Sequence, residues 1–378
     1  MSAMDSTLRT ALADKAKEIT KRELATYAER TASSQRANAR ARKVLPLGVP
    51  SSFQAYDPYP IVVRSAHGPN MTDVDGNVYT DYDMGFGALF SGHQNPLVRA
   101  AIDMQLGEGT LFVTPCESNA DVAEMLAARY GLPMWRFTNS GTEATMDAIR
   151  VARAATGRDK IVKVEGGYHG HHDEVMISMK PSLDVAGPAD APFSVPASAG
   201  ISKKVLSDTI VIPYNDARAL ERVLKSGEVA CFIVEPVMEN IGICLPDDGY
   251  LQQVREITQR YGTLLIFDEV KTGLVVHPGG VTAMYGVMPD IICLAKALGG
   301  GLPCGAVGGT TEVMSAITDG RYSQVGTFNG NPLTMAAARA VLTEVLTDDA
   351  YAKANDVGAY ILEQSLATLH ENGQEAHG

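Results

Sequence analysis

Apolar residues along the chain fall into short, nearly unbroken runs. They lie near 134–138, 161–165, 209–212, 231–235, 264–268 and 291–294, without the alternation of a half-exposed strand. Helical spacing fills the intervals, near 96–106, 117–130, 143–156, 217–226, 250–261 and 331–346. Strands apolar on both sides need cover on both faces. The pattern therefore predicts an α/β fold with a mostly parallel sheet wrapped by helices. Upstream, residues 6–43 read as one or two helices, broken by Leu45-Pro46-Leu47-Gly48-Val49-Pro50. Ile61-Val62-Val63 and Val78-Tyr79-Thr80-Asp81-Tyr82 flank a turn at Asp75-Gly76-Asn77, which predicts a small antiparallel unit. Residues 175–205 are rich in Pro, Ser, Gly and Ala with no period, as a functional or a disordered loop would be.

Composition narrows the function classes. The 378 residues can form two or three domains, and 32 basic against 44 acidic residues leave a net charge of −12. That balance argues against a nucleic-acid partner, which calls for a basic stripe. No apolar stretch approaches the ~20 residues of a membrane span. The N-terminal stretch mixes Lys and Arg with Asp5, Asp14, Glu18, Glu23 and Glu29, which fits neither a transit nor a secretory signal. Five cysteines, none in a CxxC pair, argue against a disulfide framework or a zinc site and suit a reducing cytoplasm. Cys231 and Cys293 lie inside apolar runs, as small core residues do.

The candidate chemistry sits where strands end. Asp268 closes the run Leu264-Leu265-Ile266-Phe267, and Lys296 closes Ile291-Ile292-Cys293-Leu294-Ala295 ahead of Ala297-Leu298-Gly299-Gly300-Gly301. In a parallel sheet both side chains reach one rim. An amine there can hold an aldehyde cofactor as a Schiff base, and a carboxylate can keep the cofactor's ring nitrogen protonated. Two surface charges that happen to follow strands are the plainer alternative. Asn139-Ser140-Gly141-Thr142-Glu143-Ala144 turns from a strand into a helix. Its free N–H groups, a close backbone at Gly141 and the hydroxyls of Ser140 and Thr142 suit a phosphate, or serve only as an N-cap. There is no GxxxxGK[ST] motif. In Gly166-Gly167-Tyr168-His169-Gly170-His171-His172-Asp173 the histidine spacing matches no common metal site, so no metal is assigned. Tyr168 stands in a turn where its ring can cover a flat cofactor or pack on its neighbours. Gly326-Thr327-Phe328-Asn329-Gly330-Asn331-Pro332 is a polar loop before a helix.

Taken in order, these pieces resemble the class III, fold type I aminotransferases that use pyridoxal 5′-phosphate, with the nearest likeness to the glutamate-1-semialdehyde aminomutase branch. The residues that carry the likeness are 138–144, Tyr168-His169-Gly170, Glu235-Pro236-Val237, Phe267-Asp268-Glu269-Val270, Lys296 through Gly301, and Gly326-Thr327-Phe328. The resemblance implies a fold type I architecture with a smaller α+β domain drawn from both termini. It divides the chain into an N-terminal segment (1–75), a large cofactor-binding domain (76–330) and the start of a C-terminal small domain (331–378). The chain is expected to stop short of that domain's end.

The resemblance also implies roles. Lys296 would carry the cofactor as a Schiff base and, once displaced by the substrate amine, move a proton between substrate and cofactor. Asp268 would pair with the ring nitrogen. Val270 and Tyr168 would flank the ring, and Ser140, Gly141 and Thr142 would hold the phosphate. Asn240 would lie near the ring hydroxyl, and Thr327 would reach the phosphate site of the partner subunit in a homodimer. Glu235 precedes a proline as in the family and serves the fold or the site.

One departure bears on the substrate. The branch carries a carboxylate-gripping arginine in the segment corresponding to 46–54. Here Phe53 or Gln54 stands about where it belongs, and the segment has no arginine. The expected activity is therefore amino transfer between an amino acid or amine and a carbonyl acceptor. Intramolecular transfer of the aminomutase type is the alternative, and a binding protein that kept the fold is the rival of another class. The 175–205 loop falls where the aminomutases keep a gating loop.

Overall fold

The computed structural model describes residues 6–374, which divide into two compact units. One comprises the residues up to Met84 with Gly92–Gln94, the other Gly85–Ser91 with everything from Asn95 onward.

In the first unit the expected N-terminal helices are two, Ser6–Arg30 and Ala32–Ala41. They accompany a three-stranded antiparallel sheet of β1 (Val63–His67), β2 (Asn70–Asp73) and β3 (Val78–Thr80). The turn at 75–77 forms because Asp73 Oδ1 accepts the amides of Asp75 and Asn77 at 2.9 and 2.8 Å. The Asp75 carboxylate accepts the amides of Ser33 and Ser34 at 2.6 and 2.9 Å, which ties this turn to the start of the second helix. Strand β2 has a polar sequence, Asn-Met-Thr-Asp, and gives no apolar signal of its own.

The larger unit is built on a seven-stranded sheet. Its strands are β4 (Met134–Thr138), β5 (Lys160–Val164), β6 (Thr209–Ile212), β7 (Val229–Val234), β8 (Leu264–Asp268), β9 (Ile291–Leu294) and β10 (Gly305–Gly309). They lie in the order β4-β10-β9-β8-β7-β5-β6. Pairings from β9 through β8, β7 and β5 to β6 are parallel. β10 runs antiparallel to both β4 and β9.

Burial on both faces follows the two-residue period of a strand. Phe232, Val234, Leu265, Phe267, Ile292 and Leu294 join one core cluster. Cys231, Ile233, Ile266, Ile291 and Cys293 join the other, where the helix Gly141–Thr156 adds Ala144, Ala148, Ile149, Val151 and Ala152. Cys231 and Cys293 are thus core residues, and burial pushes the Cys231 thiol up to about 12. The single helix expected over 331–346 is the α-helix Pro332–Ala340, continued by one π-helical turn, Val341–Val345. Between β5 and the helix Lys203–Asp208 the chain forms no named strand or helix, only an isolated bridge from Ile177 to Pro196. Among the described residues no helix is long and apolar enough to cross a membrane.

Candidate active site

Strand ends on one rim of the large sheet open onto a cavity of about 400 Å³. Its lining includes Ser140, Gly141, Thr142, Tyr168, Asp268, Val270 and Lys296, seven of the residues singled out from the sequence.

The turn after β4 leads into the helix Gly141–Thr156. Ser140 is its N-cap: Oγ accepts the Glu143 amide at 3.2 Å and keeps its own hydrogen to donate. Glu143 reaches back, and its Oε2 accepts the Asn139 amide at 2.6 Å. The first amides of the helix, at Gly141 and Thr142, have no carbonyl a turn earlier and point out of the helix start. A Cβ on Gly141 would lie 2.7 and 3.0 Å from the two methyls of Val270, so only glycine lets this turn and the strand end after Asp268 approach so closely. Thr142 Oγ1 accepts the His171 amide at 3.2 Å and ties the tyrosine loop to the same turn.

Asp268 ends β8 and is 4% exposed. Its Oδ1 accepts the Val270 amide at 3.0 Å, and its Oδ2 lies 2.8 Å from His169 Nδ1. Against a carboxylate, Nδ1 is the ring nitrogen that carries the hydrogen. The opposite nitrogen, Nε2, is buried without a hydrogen-bond partner. His169 is the residue that reading the sequence missed. It counted there only as one of three histidines whose spacing matches no metal site, and its partner is 99 residues away in the chain. No group of three or more His, Cys, Asp or Glu among the described residues could hold a metal ion.

Lys296 begins a 3₁₀ turn, Lys296–Gly299, directly after β9 and Ala295. Its backbone has φ +48°, in the left-handed region. Its Nζ lies 5.7 Å from the centroid of the Phe86 ring. Tyr168 is half-buried. Burial first, and then the Asp268 charge, raise its phenol above the ordinary value. Its amide donates to Glu235 Oε1 at 2.9 Å, and Glu235 Oε2 pairs with Lys271 Nζ at 2.6 Å. Glu235, to which the sequence gave no firm role, and Lys271, which it did not single out, both line the cavity.

Two further candidates do not line this cavity. Asn240 is outside the lining, and its Nδ2 donates to the Gly166 carbonyl at 2.9 Å. Thr327 lines a separate hollow with Phe137, Gln324 and Asn329. Its loop is joined to the Ser140 turn of its own chain by a 3.0 Å hydrogen bond from Asn139 Nδ2 to Asn329 Oδ1.

This arrangement fits a phosphorylated pyridine aldehyde. A helix start faces the cavity for the phosphate, a buried carboxylate is available for a ring nitrogen, and an amine for the aldehyde. The close approach of Gly141 to Val270 brings the helix-start turn and the strand end that carries Asp268 together.

Known proteins point the same way. The sequence model of the family described as "Aminotransferase class-III" matches residues 52–377. A glutamate-1-semialdehyde 2,1-aminomutase of Methanothrix thermoacetophila is 43% identical over 331 residues, 87% of this chain and 75% of that protein. The crystal structure of a glutamate-1-semialdehyde-aminomutase from Pseudomonas aeruginosa PAO1 superposes with a TM-score of 0.85. It is 33% identical and covers 94% of this chain and 80% of that one. An omega-transaminase from Sphaerobacter thermophilus gives a TM-score of 0.79 and 38% identity, covering 82% of this chain and 72% of that one. The strand-end lysine, the buried aspartate and the helix-start turn thus stand in a chain that belongs to the class III aminotransferases.

Proposed function

We propose that the protein moves an amino group within one small molecule, as a glutamate-1-semialdehyde 2,1-aminomutase does. Its enzyme class and its pyridoxal 5′-phosphate cofactor come with the family. The finer assignment rests on the aminomutase relatives, which favour intramolecular transfer over the two-molecule exchange that the sequence put first. The observation that carries the site is the meeting of Lys296, Asp268 and the Ser140 turn in one cavity.

Bound there, the cofactor supplies an electron-withdrawing pyridinium that takes up the electron pair left when a bond to the amino-bearing carbon breaks. Lys296 Nζ would hold the cofactor covalently and, once displaced by the substrate amine, would carry the proton between the amino-bearing carbon of the substrate and the cofactor carbon it had held. Asp268 would pair with the ring nitrogen, and His169, through Nδ1, fixes the direction of the carboxylate. The Ser140 hydroxyl and the Gly141 and Thr142 amides hold the phosphate. Tyr168 and Val270, both in the lining, would hold the ring. Thr327 completes the phosphate site of a partner subunit in a homodimer.

Transfer between two separate molecules is the second reading. The omega-transaminase likeness and the missing arginine in 46–54 favour it. Incubating the holoenzyme with an amino aldehyde and no carbonyl acceptor separates the two. Net isomerisation at the full rate supports the mutase. Turnover that appears only when a second carbonyl compound is added refutes it. Lys296→Ala should abolish both turnover and borohydride-trappable cofactor.

A further inference from the structure

Two lysines line the cavity, Lys271 and Lys296. On the reading above, Lys296 is committed to the cofactor's aldehyde carbon. Lys271 has no role in that reading, yet it is held in place. Its Nζ lies 2.6 Å from Glu235 Oε2 and 5.7 Å from the centroid of the Tyr168 ring. Glu235 is 3% exposed and is held in turn by the Tyr168 amide. An ammonium has three hydrogens and no acceptor, so a single carboxylate contact leaves donors to spare. The ion pair sets the direction of Nζ without exhausting it.

Two oxygens of the bound reactants lack a donor in the assignments so far. One is the cofactor's ring oxygen, expected near Asn240. That side chain is outside the lining and donates to the Gly166 carbonyl. The other is a substrate carboxylate, since the 46–54 segment has no arginine. The phosphate has the helix start, and the ring nitrogen has Asp268. We propose that Lys271 is the second anion site of this cavity: its Nζ, aimed by Glu235 and Tyr168, donates to an anionic oxygen of the bound reactants. The ring oxygen and the substrate carboxylate are the two possible sources of that oxygen. The proposal rests on the cofactor reading above.

The test uses the holoenzyme with Lys271→Met, Lys271→Arg, Glu235→Gln and the double variant Lys271→Met/Glu235→Gln, which leaves no unpaired buried charge. One arm titrates the visible absorbance of the bound cofactor against pH. The other compares amino donors with and without a carboxylate. If the ring oxygen is the partner, Lys271→Met moves the absorbance midpoint by about one pH unit or more. If the carboxylate is the partner, Lys271→Met and the double variant raise KM about ten- to hundredfold for carboxylate-bearing donors alone. Lys271→Arg recovers much of either effect, and Glu235→Gln shows less of it. Lys271→Met variants unchanged in both arms overturn the proposal. So does Glu235→Gln matching Lys271→Met throughout, which makes the pair purely structural. A Lys296→Ala protein that still traps cofactor with borohydride would instead sink the cofactor reading itself.

Discussion

Gly141→Ala tests whether the close contact between the phosphate turn and Val270 matters as the geometry says. The backbone at Gly141 is ordinary helix, so alanine would gain up to about 1 kcal/mol of helix propensity. Against this, the new methyl would meet both Val270 methyls at 2.7 and 3.0 Å. Rotating the valine replaces one clash with another, because both branches face the glycine. Overpacking of this kind costs about 1–3 kcal/mol, so the net effect should be a loss of about 1 kcal/mol, up to 2. The turn must shift to relieve it, and the proposed phosphate donors shift with it. Cofactor affinity, read by absorbance titration, should fall on the order of tenfold. Trimming the valine separates the contact from any general damage. In a cycle with Val270→Ala, followed by urea unfolding, the double variant should be better than additive by about 1–2 kcal/mol. Wild-type affinity and stability in Gly141→Ala, or additivity within about 0.5 kcal/mol, would refute the reasoning.

Three further outcomes follow from the geometry. Gly280 has φ +62°, and a side chain there would run into the Glu269 carboxylate, which is fully buried and accepts from Val281 and Thr282 amides and the Thr272 and Thr282 hydroxyls. Gly280→Ala should therefore cost about 3 kcal/mol or more by urea unfolding, and a change under about 0.5 kcal/mol would contradict this packing. Lys163 is fully buried, and burial brings its amine down from the ordinary 10.5 to about 7. Between those values the unfolded chain holds the proton and the folded chain does not, so stability relative to Lys163→Met should climb about 1 kcal/mol per pH unit from pH 7.5 to 9.5; a flat difference would count against it. Replacing His169 with phenylalanine should leave folding within about 2 kcal/mol but lower kcat more than it raises KM, since it acts through Asp268; an unchanged kcat would remove it from the site.

How much of this could be read from the chain depended on what each element had to advertise. Strands β7 to β9 announce themselves because both faces are covered and the sequence has almost no polar side chain to show, while β5 was legible despite Lys160 and Lys163. Strand β10 is Gly-Ala-Val-Gly-Gly; with three glycines in five residues it carries almost no apolar signal, and its antiparallel place between β4 and β9 stayed hidden. Strand β2 escaped because its four residues are largely polar. At the site, Lys296, Asp268 and the Ser140 turn were legible because each sits at a strand end with its motif intact. His169 was not, because its partner is distant in sequence and its local surroundings suggest another chemistry. Asn240 was placed by likeness alone, and its amide donates to the Gly166 carbonyl.

The backbone of Lys296 has one more consequence. A side chain other than glycine, held at φ +48°, carries a conformational penalty of about 1 kcal/mol or more. Were durability the sole demand, glycine would occupy that position. On the proposed reading, a protein with glycine there would lose the amine that holds the cofactor and yet outlast the native molecule on heating. The chain then stays slightly wound at that strand end, and what it gives up in toughness it keeps, on that reading, as a nucleophile held in place.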